Sequence, residues 1–200
     1  GFYLDKDYFL SLLKELIAEL KILAPEDKGK ADGAPRIMLS GSIIAPGDTK
    51  LIQIIEEMDG KIVADDLCSG YRCHNIPIPR DNSIHGIADA YIGRVPCGSL
   101  PYLSLDTDRR LENISRMISD YKVEGMIYHT LRYCDPFTFK ANETKKVFKD
   151  TIPFLEIHTE YATSDIESVR TRVEAFFELI HTFRFKRGGR EDVNQLQNVS

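Results

Sequence analysis

Met126-Ile-Tyr-His-Thr-Leu-Arg-Tyr-Cys-Asp-Pro136 is the stretch whose reading decides the fold. Gly125 to His129 has the composition of a strand buried on both faces, which parallel sheets produce when helices cover them on either side. Asp135-Pro136 then turns the chain out of the strand. In open α/β sheets the working residues gather in the crevice beyond the carboxyl ends of the strands. Cys134 stands there, where a thiol can point into a cleft.

Outward from this strand the same alternation repeats. Arg36-Ile-Met-Leu-Ser40 is a short apolar strand, and the spacing of Leu51, Ile54 and Ile55 predicts a helix over 48–58. Lys61-Ile-Val-Ala-Asp65 is the second strand, followed by an irregular stretch through Pro79. Weak helical character over 83–93 gives way to a strong pattern over 106–121, with Leu111, Ile114, Met117 and Ile118 inward. Behind Cys134 a basic helix over 138–149 leads to Ile152-Pro-Phe-Leu-Glu-Ile157, the fourth strand. In the last helix Ile166, Val169, Val173, Phe176, Ile180 and Phe183 recur at helical spacing, with Asp165 as its cap.

Crossovers this long cannot be hairpins, so the fold class is α/β. The expected sheet has four parallel strands, flavodoxin-like, in the order 2-1-3-4, flanked by helices and preceded by an extra N-terminal helix. That first helix, with Phe9, Leu13, Leu16, Leu20 and Leu23 on one face, must bury the face on something. The expected organisation is a helix over 1–24 connecting to a preceding domain outside this chain, and a linker over 25–35. An α/β domain follows over 36–187, and a flexible tail with Gly188-Gly189 over 188–200.

A net charge of −5 argues against non-specific nucleic-acid binding, which needs a basic face. No apolar run reaches the roughly 20 residues of a membrane span. The four cysteines, at 68, 73, 97 and 134, form no CxxC pair, and no signal peptide precedes them. A cytoplasmic, reducing location is therefore expected.

Each chemically suggestive residue also has an ordinary structural reading. Ser40-Gly41-Ser42 occupies the usual place of an anion-binding loop, yet it matches neither G-x-G-x-x-G nor a P-loop. Asp65 and Asp66 cap neighbouring loops or pair with Arg72, and Cys73-His74 has no second pair in register for a metal. His129 reads as a hydrogen-bonded core histidine, Arg109-Arg110 as a solvated face, and Cys97 as a small buried residue in a turn. From the residues alone Cys134 is a packed core thiol, a nucleophile or a metal ligand.

The order of the motifs is more specific than any one of them. Arg36-Ile-Met-Leu-Ser-Gly-Ser42, Ile54 through Cys68, Tyr128-His-Thr-Leu-Arg-Tyr-Cys-Asp-Pro136, Ile152 to Ile157, Thr159-Glu-Tyr161 and Thr171 to Glu178 occur in sequence. In this the chain resembles the 2-hydroxyacyl-CoA dehydratase and benzoyl-CoA reductase family, whose D-component subunits carry an iron–sulfur cluster. The match runs from Arg36 to Ile180, with Glu160 where the family often has Asp.

The resemblance implies the C-terminal part of one subunit of a cytoplasmic, anaerobic lyase, with this segment not competent by itself. It implies a [4Fe-4S] cluster, double-cubane in some relatives, with Cys134 as the ligand from this domain and the others outside this chain. Cys68 and Cys97 match family cysteines not read as ligands. Gly41 and Ser42 are expected to line the substrate pocket. The implied partners are a second homologous subunit in a heterodimer, an ATP-dependent activator that donates electrons, and an acyl-CoA substrate. Neither nucleic acid nor a membrane is among them. The implied reaction is dehydration through a one-electron ketyl radical. The alternatives are an acyl-CoA reductase of the benzoyl-CoA or double-cubane type, or a non-catalytic electron-relay subunit. A flavodoxin-like binding domain would hold no iron.

Overall fold

The computed structural model describes residues 4–23, 33–74, 83–94 and 109–197. Two compact units divide the chain, Gly1–Gly33 and Ala34–Ser200. The first contains α1 (Lys6–Leu23), which Asp5 starts by accepting the amides of Asp7 and Tyr8 at 3.0 and 3.1 Å. Leu10, Leu16, Ile17 and Leu20 are each about half exposed on this helix.

The second unit is the expected α/β layer structure. Its strands are β1 (Arg36–Gly41), β2 (Lys61–Asp66), β3 (Gly125–Leu131) and β4 (Phe154–Thr159), in the order β2-β1-β3-β4 and all parallel. Register places Ser40 beside Asp66 on one side and Tyr128 on the other, and His129 beside both Gly41 and Ile157. A register shift between Ile37 and Met38 offsets β2 by one residue.

Strand alternation assigns the core. Ile37, Leu39, Ile127 and Ile157 pack under α2 (Lys50–Glu57) and α7 (Ile166–Gln197), which contribute Leu51, Ile54, Val173 and Phe176. Met38 and Met126 point the other way, against Ile114 and Met117 of α5 (Arg109–Asp120) and Phe148 of α6 (Asp135–Phe148). β1 and β3 are central and almost wholly buried, so they carry continuous apolar runs. Among the described residues between β2 and α5 are two short helices, α3 (Tyr71–His74) and α4 (Ile84–Ala88), the latter running into a π-helical turn over Asp89–Arg94. Ser83 caps α4 by accepting the Gly86 amide at 2.9 Å.

Two local readings change. The helix behind Cys134 begins at Asp135, because Pro136 suits a first helical turn as well as it suits a stop. α7 continues through Gly188-Gly189 to Gln197, beyond the point at which the glycines suggest a tail. Most of the 25–35 linker lies outside the described residues, as does the irregular stretch after His74. No helix among the described residues is long and apolar enough to cross a membrane.

Candidate functional site

The topology brings the loops after β1, β2 and β3 to one edge of the sheet, and with them Ser42, Cys68 and Cys134. At the end of β1 the backbone turns sharply. Gly41 has φ +114, and a Cβ there would stand 2.0 Å from the carbonyl oxygen of His129. Only glycine permits this approach of β1 to β3. The neighbour that Gly41 admits is thus the adjacent strand. Ser42 continues the seam: its amide donates to His129 O at 2.9 Å, and its Oγ accepts the Leu131 amide at 2.7 Å. The residue is fully buried. It caps no helix, since α2 begins only at Lys50.

Past β2 the two aspartates part. Asp65 Oδ1 accepts the amides of Leu67 (3.3 Å) and Tyr71 (3.0 Å), capping the turn into α3. Asp66 is completely buried and forms a two-point pair with Arg72, Nε to Oδ1 at 3.1 Å and Nη2 to Oδ2 at 2.9 Å. Burial pushes the Asp66 carboxyl up, and the Arg72 charge and hydrogen bonds oppose that push. Ser40 Oγ adds a hydrogen bond to Oδ2 at 3.2 Å. Arg72 also donates to the carbonyls of Asp66 and of Gly41, the latter at 3.2 Å, while Nη1 reaches Cys68 Sγ at 3.4 Å. Its guanidinium carbon lies 4.8 Å from the centre of the Phe137 ring. The pairing of Asp66 with Arg72 is the arrangement the sequence favours.

After β3 the chain folds back in a turn closed by the Cys134 amide on Leu131 O at 2.9 Å. Tyr133, the third residue of this turn, has φ +71 and is almost fully exposed. That conformation normally selects Gly or Asn. It presents Cys134 as the N-cap of α6, with its carbonyl accepting from both the amide and the hydroxyl of Thr138 at 3.0 Å. The Cys134 side chain makes no capping hydrogen bond. It is partly buried against Tyr128, Phe137 and Ala141, a small cluster against which Cys68 also packs. Tyr128 stands behind it, its hydroxyl on Phe137 O at 3.2 Å and its phenol pushed up to about 12 chiefly by burial.

On the opposite face of the same edge, His129 Nε2 lies 2.7 Å from Thr159 Oγ1. Burial drives this imidazole down to about 4, helped by the charges of Lys50 and His158 and opposed by the Ser42 backbone. A neutral core histidine is therefore the right description. Lys50, beside it, is a residue the sequence reading missed. Its Nζ holds the loop after β4 by donating to the carbonyls of Glu160 and Ala162 (2.7 Å) and to Asp165 Oδ1 at 2.7 Å. Burial raises the Asp165 carboxyl, but Lys50 and the Glu160 amide outweigh it and leave it below its ordinary value. Asp165 thus serves Lys50, where a helix cap was expected. One signal pointed there: a lysine in the first turn of α2 opposes the helix dipole and needs a reason.

Arg110 is buried, donating to Thr144 Oγ1 at 2.8 Å, so only Arg109 of that pair lies on a solvated face. Cys97 and the side chains of Cys73 and His74 lie outside the described residues. A [4Fe-4S] cluster requires up to four thiolates. Among the described residues no three His, Cys, Asp or Glu side chains converge as a metal site. Cys134 has the donor chemistry and a sulfur that makes no capping hydrogen bond, so among the described residues the edge fits one corner of such a cluster and not the whole.

A family model described as 2-hydroxyglutaryl-CoA dehydratase, D-component, matches residues 1–180. Among curated relatives, YjiM of Escherichia coli (strain K12) is 27% identical over 90% of this chain. The (R)-phenyllactyl-CoA dehydratase beta subunit of Clostridium sporogenes is 28% identical over 90%. The beta subunit of (R)-2-hydroxyglutaryl-CoA dehydratase of Acidaminococcus fermentans is 26% identical over 89%. The chain spans 46% of the length of each.

Proposed function

We propose a function from one premise, that the chain belongs to the 2-hydroxyglutaryl-CoA dehydratase D-component family. It is the part of a 2-hydroxyacyl-CoA dehydratase subunit that supplies one thiolate, Cys134, to a [4Fe-4S] cluster whose other ligands come from outside this chain. The enzyme is a lyase of a reducing cytoplasm. It pairs with a second homologous subunit and receives electrons from an ATP-dependent activator.

The β-hydrogen of a 2-hydroxyacyl thioester is not acidified by the carbonyl, so dehydration needs more than a base. A cluster held by Cys134 and by ligands outside this chain would lend a low-potential electron to the thioester carbonyl as a ketyl and take it back once hydroxide and the β-proton have left, since dehydration has no net change of oxidation state. The chain's own residues do the holding. Cys134 offers its sulfur from the start of α6, and the Gly41-Ser42 seam fixes the spacing of β1 and β3 behind it. Apolar Phe137 and Tyr128 limit water on the inner side. The Oγ of Ser42 accepts the Leu131 amide, and its hydroxyl hydrogen is what it would offer a substrate carbonyl, which can only accept.

The observation that carries this reading is the sulfur of Cys134, partly buried at the strand-end edge and unused by the helix it caps. In the complete protein, Cys134→Ser should lower bound iron and remove the sulfur-to-iron absorption together with dehydratase activity. Full retention of iron and turnover would end the assignment. This chain expressed alone should hold iron poorly and show no turnover.

A further inference from the structure

We propose that Arg72 is the positioning residue of this edge: it sets where Cys134 presents its sulfur, acting through the ring of Phe137. This deepens the one-thiolate reading above and takes its biological meaning from it.

Arg72 joins three parts of the edge that the chain reaches separately. Its Nε and Nη2 grip the two carboxylate oxygens of Asp66, the last residue of β2, at 3.1 and 2.9 Å. Nη2 also donates to the carbonyl of Gly41, at the end of β1, at 3.2 Å. Nη1 touches Cys68 Sγ at 3.4 Å, and the guanidinium carbon stands 4.8 Å from the centre of the Phe137 ring, in the first turn of the helix that follows β3. Pairing with Asp66 occupies only one edge of the guanidinium, and the contacts with Gly41 and Phe137 have no part in it. Arg72 is 1% exposed and Phe137 2%, so cation and ring meet away from solvent, where their attraction is strongest.

Phe137 passes this placement on to Cys134. The two stand three residues apart in the first turn of α6, a spacing that makes them neighbours, and Cys134 packs on the cluster of Tyr128, Phe137 and Ala141. The Cys134 carbonyl accepts both the amide and the hydroxyl of Thr138 at 3.0 Å, which ties the cysteine to the turn. Tyr128 holds the main chain of the turn by donating to Phe137 O at 3.2 Å, and Arg72 holds its ring. A turn held at both points cannot roll about the helix axis, so the direction of Cys134 is fixed with it. Helix ends otherwise fray, and a metal ligand has to be held to within about 0.5 Å.

The test uses the complete protein. Arg72→Met removes the charge and the fork. Arg72→Lys keeps a charge for Asp66 but cannot span the same contacts, and it answers the question if the first variant fails to fold. Amide exchange is read in metal-free protein, so that it does not depend on the cluster. In the Arg72 variants the Thr138 amide should exchange about tenfold faster, while Lys50→Met, which loosens the opposite face of the edge, should change it less than about twofold. In Phe137→Leu, adding the same Arg72 substitution should speed Thr138 less than about twofold further, because the ring that transmits the effect is gone. Iron release from the loaded protein to a chelator should quicken about tenfold in the Arg72 variants and not in Lys50→Met. Mere pairing with Asp66 predicts faster exchange at the Leu67 and Tyr71 amides with Thr138 unchanged, and that pattern overturns the proposal. So does an Arg72 effect on Thr138 that persists in full in Phe137→Leu. If Cys134→Ser loses its iron, normal iron release in the Arg72 variants overturns it too. If Cys134→Ser keeps its iron while Thr138 behaves as expected, the cluster reading falls and the aiming of Cys134 by Arg72 stands.

Discussion

Replacing Ser42 with alanine separates a structural seam from a substrate contact. The Ser42 Oγ accepts the Leu131 amide at 2.7 Å across the gap between β1 and β3, and the residue has no exposed surface. Alanine takes away the acceptor and leaves the amide of Leu131, at the end of β3, without a replacement. An unsatisfied donor of this kind costs about 1–2 kcal/mol when partly shielded from water. In a domain of this size each kcal/mol moves the melting temperature by roughly 2–4 °C. The expected fall is therefore about 2–8 °C, measured by circular dichroism, with faster hydrogen exchange at the Leu131 amide. Exchange is the decisive reading, because general loosening would spread along β3 whereas a lost acceptor acts on one amide. An unchanged melting temperature with Leu131 still protected would refute the reasoning. If turnover also dropped in that protein, the hydroxyl would belong to the substrate.

Three further outcomes follow from the buried polar groups and the strained turn. His129 is held down at about 4 against an unfolded value near 6.5, so its contribution is fully present above 6.5 and is lost as pH falls through 4. About 3 kcal/mol of stability should disappear across that window and be largely recovered in His129→Gln; denaturation at pH 7 and pH 4.5 that shows the same loss in both proteins would contradict this. Lys50→Met keeps the stem but removes the three contacts on the loop after β4, which should cost about 2–3 kcal/mol and, by releasing the Asp165 carboxylate that accepts the Glu160 amide, speed exchange at that amide. A cost near zero would mean that the loop stands without it. Tyr133→Gly relieves a left-handed conformation worth about 1–2 kcal/mol and incurs about 0.5–1 in chain entropy, so the protein should become slightly more stable. Destabilisation would show that the exposed ring has a partner.

The layout of the sheet was readable because its signals are local and redundant. Ile37 and Leu39 on one face of β1 and Met38 on the other are apolar for the same reason, helices above and below, and 2-1-3-4 is the simplest order that right-handed crossovers with helices on both faces allow. Where a residue had two compatible uses, the sequence could not choose. Pro136 stops a helix or starts one, and here it starts one. Asp165 could cap α7, but a buried lysine more than a hundred positions earlier claims it.

The site was readable as a place and only partly as a set of contacts. Strand-end position brought Ser42, Cys68 and Cys134 to one edge, since that needs only topology. The part each plays depends on distances that no spacing encodes. Gly41 reads as a glycine kept for a ligand, yet the atom it makes room for is the carbonyl of His129. Arg72 reads as a partner for an aspartate. Only the fold shows that the short helix α3 turns it back so that one end grips Asp66 while the other reaches Cys68. Cys68, which the resemblance does not read as a ligand, thereby acquires a charged neighbour that no spacing in the sequence announces.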